Sequence, residues 1–129
     1  MTAAHPSAGD LVDRITQDHA RLGDLLDRIQ GSRQDEFRDD VVRDALSAAA
    51  RHAETDRDEL HPLLGGLDGG GAVVDAQVRD QAEIEQHART LREVPREHAE
   101  YEVALNRFVD GLRAHLTDER ELLGRVGPA

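Results

Sequence analysis

A chain of 129 residues with 38% hydrophobic and 33% charged side chains, four prolines and few aromatics is long enough for one continuous core and has the balance of a soluble helical domain. Its formal net charge of -11 repels nucleic acid and anionic membrane surfaces, so neither is expected as a partner. The lack of cysteine excludes disulfides and thiolate metal sites, and no apolar run approaches membrane-spanning length.

Residues 1–6 read as a disordered lead-in, with His5 solvated, and a four-helix domain is expected over residues 7–126. The start MTAAHPSAGD lacks a charged segment followed by an apolar one, so the expected location is cytoplasmic. Ser7-Ala8-Gly9-Asp10 has the form of a capping box and opens a first helix. Its seam runs through Val12, Ile15, His19, Leu22, Leu26 and Ile29 and stops at Gly31-Ser32. His19 is the one polar group in that stripe.

A second helix, capped by Asp35 or Asp39, is predicted to run to about residue 64 with Val42, Ala45, Ala49, His52, Asp56 and Leu63 on its seam. Pro62 is expected to force His61 out of helical geometry and to distort or end the helix there. The glycine-rich stretch 65–71 reads as a flexible loop, and it is not a phosphate loop, because no strand precedes it and no Gly-Lys-Ser/Thr follows. A third helix is expected over residues 73–93 with Ile84, His87, Leu91 and Val94 in register. Pro95 or the residues just after it open a fourth, which runs to about residue 126. Its seam is Tyr101, Leu105, Phe108, Leu112, His115, Glu119, Leu122 and Val126, so an imidazole and a carboxylate stand where Leu or Val would be expected.

The chain therefore repeats an arrangement. A helix with a lone seam histidine is followed by one with His-x-x-x-acid: His19 with His52 and Asp56, then His87 with His115 and Glu119. Short connections make successive helices antiparallel neighbours. Counted from one end of such a bundle, His19, His52 and His115 lie about eleven or twelve residues deep and His87 about fifteen, which at roughly 1.5 Å per residue is one level within about a turn. A lone seam histidine is ordinarily a core residue bonded to a carbonyl. Four of them at one level, two with an in-register carboxylate, favour a metal site over a buried polar network. Four nitrogens and two carboxylates exceed what one zinc needs and suit a dinuclear centre.

The pattern Asp18-His19, His52-x-x-x-Asp56 with Leu60-His61-Pro62 following, His87, and His115-x-x-x-Glu119 resembles the hemerythrin-like (HHE cation-binding) family over about residues 8–124. The resemblance implies an all-α, antiparallel up-down-up-down four-helix bundle around a non-haem di-iron centre. In it two iron ions are bridged by Asp56, Glu119 and an oxo or hydroxo group, with His19, His52, His87 and His115 as terminal ligands. The chain departs from the family in having Asp56 where a Glu is usual, Arg57 and Arg120 in place of glutamates, and Leu91 where oxygen carriers place a further histidine. His61 stands where the family commonly has an aromatic residue and is a further candidate ligand, should Pro62 turn it inward. Glu83, four residues before His87, reads as a surface residue, as does His98. The function implied is binding of, or reaction with, a small oxidant such as O2, H2O2 or NO, catalase-like peroxide decomposition included, by a monomer or weak homodimer. The alternative is an iron store or a metal-stabilised interaction module without turnover.

Overall fold

The computed structural model describes residues 8–32 and 36–126. The expected lead-in with His5, the Ser7 cap and Asp35 lie outside the described residues. The elements are α1 (Ala8–Gly31), α2 (Glu36–Thr55), a five-residue π-helical turn (Asp56–Leu60), α3 (His61–Gly65), α4 (Gly70–Glu93) and α5 (Ala99–Val126). Because α2, the π turn and α3 follow one another without a gap, the described residues form four helices and no strand. α1 packs on α2 and α5, and α4 packs on α3 and α5. Among the described residues, no helix is long and apolar enough to cross a membrane.

The core is two clusters rather than one. The larger contains Leu22, Leu26 and Ile29 of α1, Val42 and Ala45 of α2, Ile84 and Leu91 of α4, and Leu105, Phe108 and Leu112 of α5. The smaller contains Leu11, Ile15, Leu60, Leu64 and Leu123. Between them in sequence, on every long helix, lies a polar seam residue. The stripe of α1 includes Leu11 as well as the expected residues, whereas Val12 is only partly buried.

The π turn corrects two expectations. The residue before Pro62 does not leave helical geometry: His61 sits at φ -58, ψ -40, and its N–H reaches back five residues to the Asp56 carbonyl. Proline removes a helical donor and crowds the carbonyl four residues earlier, and the wider turn relieves that crowding without breaking the rod. A π turn inserts one residue into the helical count. At about 100° per residue, His61 would stand about 140° from Asp56 on an unbroken α-helix but stands about 40° away once the insertion is counted. His61 is accordingly buried. The same insertion moves Leu64 into the seam and Leu63 out of it, which is why Leu64 is 1% exposed and Leu63 40%.

The glycine stretch is a tight turn, and α4 begins at Gly70, three residues earlier than expected. Gly69 adopts φ 71, a left-handed conformation open to glycine at little cost. A Cβ on Gly70 would lie 1.7 Å from the Leu64 carbonyl oxygen, so the backbones of α3 and α4 touch there. Gly70→Ala should therefore destabilise the protein by about 2 kcal/mol or more, some 6–10 °C in Tm. Gly71→Ala, with nothing within 4 Å of the new atom, should be neutral or stabilise by up to about 1 kcal/mol. Equal melting temperatures for the two variants would refute the close approach.

At the other connection the chain turns at Pro95, whose carbonyl accepts the N–H of His98. α5 starts only at Ala99, with the exposed His98 ring receiving the Glu100 N–H at 3.4 Å.

Candidate metal centre

Each side chain of the site is delivered by helical spacing at the break between the two apolar clusters. His19 falls four residues after Ile15 and three before Leu22 in α1. His52 and Asp56 are four apart at the end of α2 and the start of the π turn, and His115 and Glu119 four apart in α5, so imidazole and carboxylate share a helix face in each pair. His19 is 9% exposed and the other four are 2% or less.

The ligand-type atoms of His52, Asp56, His115 and Glu119 all lie within 4.8 Å of one another. Glu119 is the hub. Its Oε1 stands 2.9 Å from both His19 Nε2 and His52 Nε2, and its Oε2 stands 2.9 Å from His115 Nε2. Asp56 Oδ2 lies 3.2 Å from His52 Nε2 and 3.1 Å from His115 Nε2. The same oxygen accepts a 2.7 Å hydrogen bond from the Gln81 side-chain amide.

These approaches are not all hydrogen bonds. His52 Nε2 and Glu119 Oε2 make none despite neighbours at 2.9 Å, and Asp56 Oδ1, His52 Nδ1 and His115 Nδ1 are also buried without a hydrogen-bond partner, the nearest carboxylate oxygen to His52 Nδ1 being that of Asp18 at 3.8 Å. Each such atom costs about 1–3 kcal/mol if nothing compensates it. Nitrogen and oxygen this close without a hydrogen bond keep lone pairs that one cation among them would take up. A cation satisfies that geometry: atoms on opposite sides of an ion bound at about 2.1 Å are roughly 4.2 Å apart, within the observed spread. The residues present therefore fit a metal, with imidazole and carboxylate donors that suit iron, zinc and their neighbours.

Electrostatics point the same way. Burial by itself would push the His52 and His115 imidazoles down, but the carboxylates of Asp56 and Glu119 outweigh it and hold them at about 10 and about 9. Burial would raise Glu119, yet His115, His19 and His52 together hold it well below the usual carboxylate range. Without metal the layer thus favours protonated, charged imidazoles beside ionised carboxylates.

The other sequence candidates fall elsewhere. His61 is 8% exposed, and its Nε2 has no hydrogen-bond partner. His87 is half-buried and stands outside the four-residue group, on a groove between α4 and α5 that Glu83 also lines. Tyr101 is a core residue. Since α4 begins at Gly70, Gln81 lies eleven residues into it and His87 seventeen, a further climb of about 9 Å. Gln81 is therefore the α4 residue at the level of the site, and Gln77, one turn before it, is 3% exposed with its Oε1 unpartnered. Sequence reasoning missed both. A period of four and three through residues 77, 81, 84, 88 and 91 fits the apolar pattern as well as one through 84, 87 and 91, and only the helix start separates them.

The family model for the hemerythrin HHE cation binding domain matches residues 10–126. No curated protein and no solved structure matches the chain. The matched span runs from the first turn of α1 to the end of α5 and holds every residue of the buried group, and on that ground the chain belongs to the hemerythrin HHE cation-binding family.

Proposed function

We propose that the protein is a non-haem di-iron protein whose two irons react with or bind a small oxidant, O2, H2O2 or NO. The proposed ligands are His19, His52, Asp56, His115 and Glu119, with His61 as a further candidate through its unpartnered Nε2. The observation that carries the two-ion reading is the division of labour within Glu119. One of its oxygens faces His19 and His52, the other faces His115, as a carboxylate shared between two ions requires. We also read the four helices as an antiparallel up-down-up-down bundle, in keeping with the short connections between α3, α4 and α5.

An iron pair, when bound, supplies reversible electron transfer to an oxidant. The chain supplies the rest. Gln81 holds Asp56 through Oδ2 and fixes the face it presents. Leu60 and Leu64 on one side and Phe108 and Leu112 on the other keep bulk water from the carboxylates. Protein purified in air should contain about two iron atoms per chain and show the near-ultraviolet charge-transfer absorption of a bridged ferric pair, with the band changing on addition of peroxide. One zinc per chain with no such absorption in iron-replete preparations would remove the di-iron reading. Two irons with no response to any of the three oxidants would favour storage.

A further inference from the structure

The Asp18-His19 pair of α1 gives one residue to the buried group and keeps one beside it. Successive residues on a helix point about 100° apart. With His19 buried, Asp18 is left half-exposed on the side of α1 that meets α2, and its Oδ2 lies 3.8 Å from Nδ1 of His52. Arg14, one turn earlier, is engaged elsewhere, since its guanidinium binds both oxygens of Glu59 at 3.2 and 2.6 Å. His52 itself is 2% exposed and has two unlike edges. Its Nε2 lies 2.9 Å from Glu119 Oε1 and 3.2 Å from Asp56 Oδ2, whereas its Nδ1 is buried without a hydrogen-bond partner on the side of Asp18.

An imidazole that gives the lone pair of Nε2 to a metal carries its hydrogen on Nδ1. That N–H, when buried, needs an acceptor, and a carboxylate in this place fixes the ring and makes it a stronger donor. We propose that Asp18 is the acceptor for the Nδ1–H of metal-bound His52, and that it makes the position held by His19, His52 and Glu119 Oε1 the tighter of the two. The inference rests on the metal-centre reading above. A movement of about 1 Å by a half-exposed side chain closes the pair to hydrogen-bond distance. The other side of the centre lacks this support. His115 meets Asp56 and Glu119 through Nε2, and its Nδ1 is buried with no hydrogen-bond partner. One oxygen of Glu119 therefore serves two imidazoles, one of them backed by a carboxylate, while the other serves a single unbacked imidazole.

Asp18 is a positioning residue, so its removal should weaken one metal position without abolishing it. The test is titration of metal-free full-length protein with Co²⁺ against a competing chelator, followed by the absorption of the bound ion. It compares the wild type with Asp18→Ala, Asp18→Asn and the control Asp13→Ala, which removes an exposed carboxylate of the same helix. The wild type should bind two ions in two steps. Asp18→Ala should weaken the tighter step by about tenfold or more, leave the weaker one within about twofold, and keep the stoichiometry. Asp18→Asn keeps an acceptor oxygen without the charge and should recover part of the loss, and Asp13→Ala should match the wild type. In ¹H–¹⁵N spectra of Zn²⁺-loaded protein, a slowly exchanging imidazole Nδ1–H signal of the wild type should be lost in Asp18→Ala. Unchanged binding in Asp18→Ala, equal weakening of both steps, or equal weakening in the Asp13 control would overturn the role of Asp18 and leave the metal centre standing. Loss of a whole ion in Asp18→Ala and Asp18→Asn alike would overturn it too, by making Asp18 a ligand. A wild type that takes up no Co²⁺ would overturn the metal-centre reading and this inference with it.

Discussion

Glu119→Ala should reduce bound metal to one ion per chain or fewer, and should also destabilise the metal-free protein by about 3–5 kcal/mol. The second effect separates this residue from an ordinary ligand. Three imidazole nitrogens stand 2.9 Å from its two oxygens, so truncation strips His19 of its partner, leaves His115 with Asp56 alone, and leaves His52 with Asp56 and the more distant Asp18, 3.8 Å from its other nitrogen. Removing one member of a buried ionic cluster leaves the others desolvated and uncompensated, which is costlier than never having buried them. For a domain of this size the loss corresponds to roughly 10–20 °C in Tm. Glu121, two residues on and exposed, is the control, and Glu121→Ala should stay within about 0.5 kcal/mol of wild type. Metal analysis and thermal melts of both variants check the expectation. Wild-type metal content in the Glu119 variant would remove it from the centre.

Metal binding at pH 7 should release about two protons, and the stability of the metal-free protein should fall as pH rises above neutrality. Both follow from His52 at about 10 and His115 at about 9 in the metal-free fold. A raised folded-state value means that the charged imidazole is favoured in the native protein. The stabilisation is complete below the unfolded value of about 6.5 and is lost as pH climbs through about 9 and 10. Glu119 has the opposite sign: held low, its contribution is complete above the unfolded carboxylate value and is lost as pH falls from there toward its folded value. The metal-free protein should therefore be most stable on the acid side of neutrality. A metal ion needs the neutral imidazoles, so it competes with the protons, and its affinity should rise by up to about a hundredfold per pH unit while both remain protonated. Calorimetric titration of the metal in two buffers of different ionisation enthalpy counts the protons. Zero release would mean that the imidazoles are already neutral and that the charged network does not exist.

The seam of α5 was legible without coordinates because a single helix carries it. Leu105, Phe108, Leu112, His115 and Glu119 follow one another at fixed spacing, and all are buried. The same holds for His19 in α1 and for His52 in α2 with Asp56 just beyond its end, where local periodicity and the burial of the helix face coincide. Family membership was equally legible, since the motif spacings within and between helices carry it.

What the sequence alone could not settle was rotation and axial position, which depend on how neighbouring helices meet. The π turn rotates everything after Asp56 by one residue. Crowding at Pro62 causes it, but its result, Leu64 and His61 inward and Leu63 outward, depends on the turn closing as π rather than breaking the helix. The level of α4 was decided by Gly70, whose missing Cβ lets α3 and α4 touch and starts the helix three residues early. That start sets Gln81, and not His87, against Asp56. Periodicity tells which face of a helix is buried, but only packing against other helices decides which turn of that face meets the site.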